Sequence, residues 1–152
     1  MTYTLEESTA VLKAVTLSGM AIAMSDLGIV STAIEATALA QEVAGAAKKY
    51  PDNSIIQTVF SDESLKKLHL EPPKDVTPDN VLGAAIAAVN EAVAVLTAKT
   101  TPEELAEYKL FVYTAAEHVA NAAGSGLFGS GSPKVSDKEM AALTKLKAAL
   151  GL

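Results

Sequence analysis

The 152-residue chain has no cysteine. That removes disulfides, thiolate metal sites and thiol nucleophiles together, and it is compatible with a reducing cytosol. Arginine is missing as well, since all twelve basic residues are lysine. Arg is the side chain suited to bidentate recognition of phosphate and carboxylate. With a net charge of -6 and a pI near 4.9, the chain also lacks the basic footprint of a nucleic-acid binder, so no nucleic-acid partner is expected. Long uncharged apolar runs are missing too. The best windows, 14–25 and 80–90, are bounded by Lys13 and Asp26 and by Asp79 and Glu91, well short of the roughly 18–20 residues of a membrane span. The N-terminal MTYTLEEST carries acidic residues where a secretory signal carries positive ones. The expectation is a soluble, cytoplasmic protein with no membrane span.

Apolar side chains are abundant: 49% of residues, with a mean hydropathy of +0.26. Twenty-eight of them are Ala, which favours helix but supplies little apolar area per residue. Closely packed helices, or a second copy covering an apolar face, reconcile the two facts, and a homodimer is expected. The length fits one domain, residues 1–152, burying roughly 70% of its unfolded surface.

Helix starts are densely marked. Thr4-x-x-Glu7, Thr32-x-x-Glu35, Thr101-x-x-Glu104 and Ser136-x-x-Glu139 fit the capping box, in which side chains satisfy the first free backbone donors. Thr77-Pro78 and Thr101-Pro102 place Pro at a first helical position. These signals predict five long helices at 5–25, 32–49, 78–99, 102–123 and 137–150. Two short helices are expected between Tyr50 and Thr77, one through Ile55, Ile56, Val59 and Phe60, one through Leu65, Leu68 and Leu70. Pro72-Pro73 makes a linker after them. The fold class is therefore all-α, a single-domain helical bundle with a Gly/Ser-rich hinge at 124–133. In the last helix Met140, Leu143, Leu146 and Leu150 form one stripe with Lys138, Lys145 and Lys147 off it, and Gly151 ends it. The 78–99 helix is apolar nearly all round, with Gly83, Ala84, Ala87 and Ala88 among Val81, Leu82, Ile86, Val89, Val93 and Leu96. That pattern predicts a central helix.

Candidate chemistry is sparse. Residues 124–129 spell G-x-G-x-x-G, but they follow a helix in a chain without strands, so the dinucleotide reading fails. Leu127 and Phe128 there either cover the core or anchor a partner. His69 and His118 are the two histidines, and neither stands in a Glu-x-x-His or His-x-x-x-His pattern. His118, beside Glu117 and near Tyr113 and Thr114, has no nucleophile placed around it, and the chain is not expected to be an enzyme. Asp26 ends a helix, where a carboxylate opposes the negative pole of the macrodipole. Glu35 and the carbonyls of Leu27 and Gly28 can join it in a set of oxygen ligands for a hard cation. An Asx-type turn plus a capping box accounts for the same residues.

The corners at the two ends of the chain resemble those of the tellurite-resistance TerB-like family, whose members are all-helical. They carry two repeats of a segment like A-x-D-G-x-(I/V)-(S/D)-x-x-E. The first copy here runs from Ala23 through Asp26, Gly28 and Ile29 to Glu35, with one extra residue between Asp and Gly. The second runs from Val135 through Ser136, Asp137 and Glu139 to Leu143, behind Ala122-Ala123-Gly124 where the family has its Asp. The resemblance implies a pseudo-repeat of helical hairpins and a non-enzymatic role in protein association and stress response. It also implies a weak acidic divalent-cation site, mapping onto Asp26, Glu35 and Glu139. A second class of function also fits the composition: a small apolar or lipid-like ligand held between Ala-rich helices, with Met20, Met24 and Met140 adapting around it.

Overall fold

A computed structural model describes residues 2–25, 29–68, 75–124 and 137–152, the side chains of 29–35, 123 and 124 excepted. Within them the chain is all-helical. The elements are α1 (Leu5–Ala23), α2 (Ile29–Lys49), α3 (Ser54–Val59), α4 (Asp62–Lys67), α5 (Val81–Thr97), α6 (Pro102–Gly124) and α7 (Asp137–Leu150). Five long helices and two short ones are present, as the caps and periodicity lead one to expect, although several boundaries differ; α4 ends at Lys67 with Leu68 as its cap, and Leu70 lies outside the described residues.

The capping chemistry explains most boundaries. At α1, Glu7 N–H donates to Thr4 Oγ1 at 3.1 Å and Thr4 N–H returns to Glu7 Oε2 at 2.8 Å, so both halves of the box are made. At α6 the same exchange joins Thr101 and Glu104. Two starts differ from expectation. α2 is already helical at Ile29, so Thr32 lies inside the helix and cannot be its N-cap, which needs extended backbone. α5 begins at Val81 rather than Pro78. There Thr77 N–H donates to Asn80 Oδ1 (2.7 Å), and Asn80 Nδ2 donates to the Asp75 carbonyl (2.8 Å). That side chain holds a turn that delays the helix by three residues. Gly151 has φ +72° and closes α7, the left-handed C′ position glycine occupies without strain. The Ser136 box, the Asp26-Leu27-Gly28 corner, the Pro72-Pro73 linker and Ser125 to Pro133 of the hinge lie outside the described residues.

α1, not α5, is the central helix. It touches α2, α3, α5, α6 and α7 and buries Val11, Leu12, Val15, Leu17, Ile22 and all four of its alanines. Tyr108 of α6, fully buried, donates its hydroxyl to the Val11 carbonyl at 2.7 Å. The α3 segment is the plug of the core: Ile55, Ile56, Val59 and Phe60 have no exposed surface, each contributing about 1.5–3 kcal/mol by burial. Phe60 and Tyr50 both meet the Phe111 ring edge-on, with centroids 5.2 and 5.5 Å away.

α5 buries Val81, Ala85, Ala88, Val89, Ala92 and Leu96 on one side only. Its near-uniform apolarity comes from small residues facing water, not from neighbours on every side. α7 is rotated from expectation in its first turn. Met140 is 54% exposed, and Glu139 is the residue that turns inward with Ala142, Leu143, Leu146 and Leu150. Positions 139, 143, 146 and 150 share a face at 3.6 residues per turn as well as 140 would. The packing decided between them.

Candidate functional site

The directions of the helices bring the C-terminal ends of α1 and α6 and the start of α2 toward one end of the bundle. Tyr3 lies close enough to Glu104 to feel its charge, and Tyr108 bonds Val11, so α1 and α6 run parallel. Their C-terminal ends, Ala23 and Gly124, point the same way. Tyr50 packs on Phe111 while Glu42 faces His118, so α2 runs antiparallel to α6 and starts at that same end.

Of the three expected metal ligands, Asp26 and the Glu35 side chain lie outside the described residues. Glu139 is 3% exposed in the first turn of α7, where the free backbone N–H groups favour a carboxylate. Among the described residues, no three His, Cys, Asp or Glu side chains gather as a metal set.

His118 has a partner that sequence spacing does not reveal. Its Nδ1 stands 3.5 Å from Glu42 Oε1, and Lys49 Nζ stands 3.6 Å from the other oxygen of the same carboxylate. Glu42 is largely covered, whereas the His118 ring is about half exposed. Tyr113 turns the other way, toward Glu117 and under Lys147. Burial, and then the Glu117 charge, push the Tyr113 hydroxyl up. The histidine thus joins α2 to α6 through Glu42, and among the described residues no hydroxyl or amine is bonded to it as a nucleophile would be. His69, Leu127 and Phe128 lie outside the described residues. Met20 and Met24 are half-buried beside the core, and Met140 at the surface lines no interior space.

The most distinctive surface is the outer side of α5. Gly83, Ala87, Asn90, Ala94 and Thr97 are exposed, with half-buried Leu82, Ile86 and Val93 along one edge. A Cβ added at Gly83 would meet nothing within 4 Å. Glu91 is the only charged residue between Asp79 and Lys99. The signal was present in the sequence as a charge-free window. Periodicity did not say which side of it faces water.

No family model matches the chain, and neither the curated proteins nor the solved structures yield a match. No helix among the described residues is long and apolar enough to cross a membrane.

Proposed function

We propose that this chain is a non-enzymatic, TerB-like helical protein that works through protein association in a stress response, with the outer side of α5 as its contact surface. The uncharged face of α5 is the observation that carries the reading. An exposed helix of 17 residues in a monomer ordinarily sets charged side chains toward water, and this one offers a single Glu. The weak divalent-cation site of Asp26, Glu35 and Glu139 belongs to the same reading. What supports it is the direction of three helices, which sends the ends of α1 and α6 and the start of α2 to one end of the bundle.

Complementation tests the association role. In a host lacking the gene and challenged with tellurite or an oxidant, the wild-type chain restores growth and Ala87→Glu does not. A variant that complements fully, with its fold intact by circular dichroism, removes α5 from the function. Calorimetric titration with Ca²⁺, Mg²⁺ and Zn²⁺ tests the cation site. Heat is expected for the wild type and is reduced in Asp26→Ala, Glu35→Ala and Glu139→Gln; no heat, or equal heat in all four proteins, removes it.

A further inference from the structure

Residues 2–4 precede α1 and stand outside the helices, yet they are tied to elements far along the chain. The Tyr3 ring packs half-buried against the core. Lys99, from the turn between α5 and α6, holds its Nζ 5.7 Å from the centroid of that ring. The same ammonium grips both oxygens of Glu7, at 2.6 and 2.7 Å. Thr4 completes the tie by closing the α1 cap with Glu7.

One atom in this arrangement is unsatisfied. The Tyr3 hydroxyl is enclosed, and no described residue bonds it. Glu104 and Glu7 lie near enough for their charge to act on it, but both carboxylates are committed elsewhere. Glu104 accepts from Ser54 N–H at 2.9 Å and from Thr101 N–H at 3.5 Å. Glu7 accepts from Thr4 and Lys99. An enclosed hydroxyl without a partner forfeits the bonds that water would give it. Against that penalty stand the apolar contact of the ring and its attraction to Lys99, which is modest where the ammonium is partly hydrated.

We propose that residues 2–4 form a strap that lifts from the folded bundle, because the Tyr3 hydroxyl is satisfied only in the lifted state. Local opening is characteristic of segments with few buried contacts and exposed backbone bonds, and the bonds of Thr4 to Glu7 are exposed ones. The Lys99–Glu7 pair joins α1 to the α5–α6 turn without the strap, so the helices stay docked while it moves. Lifting bares the core surface under the Tyr3 ring, at the end of the bundle where α5 hands over to α6. The strap is a latch over that end.

Native-state hydrogen exchange, read amide by amide across sub-denaturing urea, tests the strap. The Glu7 and Ser8 amides bond Thr4 Oγ1 and the Thr4 carbonyl, at 3.1 and 2.9 Å, and are released when the strap lifts. The Phe60 amide, bonded to the Ile56 carbonyl in the core, reports the whole fold. In the wild type, exchange at Glu7 and Ser8 should be fast and insensitive to urea, because little surface is exposed, while exchange at Phe60 should rise with urea. Tyr3→Phe keeps the ring and removes the hydroxyl, so it should slow Glu7 and Ser8 about tenfold, the size of an unmade hydrogen bond. Tyr3→Ala, which loses the ring as well, should quicken them. Unchanged or faster exchange in Tyr3→Phe shows that the hydroxyl is bonded in the closed state, to water or to a neighbour, and overturns the proposal. Glu7 and Ser8 amides that follow urea as Phe60 does are released only by global unfolding, which also overturns it.

Discussion

Leu39 of α2 lies directly over Gly19 of α1. A Cβ built on Gly19 would stand 2.5 Å from Leu39 Cδ1 and 3.0 Å from its Cγ. The missing side chain lets the two helices approach, and Leu39 fills the space. Within the described part of α2, Ala38 and Ala46 are buried, and Leu39 and Val43 pack half-buried against the core.

Gly19→Ala tests it with opposing terms of known size. Ala gains about 1 kcal/mol of helix propensity, while overpacking against Leu39 costs about 1–3 kcal/mol. The expected net is a loss of about 1 kcal/mol in urea denaturation. In a Leu39→Ala background the clash is gone, and the same substitution should stabilise by several tenths of a kcal/mol. Stabilisation by Gly19→Ala in the wild type would show that the helices are not held this close.

Asn53 joins two parts of the molecule. Its Oδ1 accepts from Ile56 N–H at 3.1 Å as the N-cap of α3, while Nδ2 donates to the Glu104 carbonyl (3.0 Å) and to Glu107 Oε2 (2.8 Å). It is fully buried. Asn53→Ala should lose about 2–3 kcal/mol, from the cap and a charge-assisted bond. Asp caps helices as well as Asn, yet Asn53→Asp should be at least as damaging at pH 7, because it turns a carboxylate toward Glu107. Wild-type stability in Asn53→Asp would reduce the residue to a simple cap.

Alkaline titration reads Tyr108. Complete burial pushes its hydroxyl far above the ordinary value of 10.0. The folded state therefore keeps the proton that the unfolded chain releases, and the sign follows. This contribution is intact below pH 10 and is lost as pH rises above it. Tyr108→Phe should cost about 1 kcal/mol at pH 7 for the bond to Val11, and its stability should fall less steeply above pH 10. Equal slopes for the two proteins would exclude Tyr108 as the alkaline trigger.

On the acid side Glu104 is one of three carboxylates held down by their neighbours, with Glu7 and Glu63. Hydrogen bonds from Ser54, and then from Thr101, hold Glu104 below the ordinary 4.5. Its stabilising effect is complete above that value and disappears as pH falls through the lowered one. The urea midpoint of the wild type should drop below about pH 4.5, and Glu104→Gln should drop less. A variant tracking the wild type across that range would assign acid sensitivity elsewhere.

Local chemistry in the chain was sufficient for the helices themselves. Thr4 with Glu7, Thr101 with Glu104, and Gly151 act through neighbours three or four residues away, so their roles are visible in one dimension. The same holds for the absence of Arg and Cys and for the charge-free window of α5. Which side of a helix faces the core was not visible where two faces are similarly apolar. Val81 and Leu82 compete on nearly equal terms and packing against α1 selected the winner, whereas in α7 Glu139 turns inward although hydropathy favours Met140. The pairs that join distant segments, Tyr108 with Val11, Asn53 with Glu107, Glu42 with His118, exist only because antiparallel and parallel packing brings them within bonding distance. Sequence determined where helices form; the close approach permitted by small residues such as Gly19 determined what each helix shows to water.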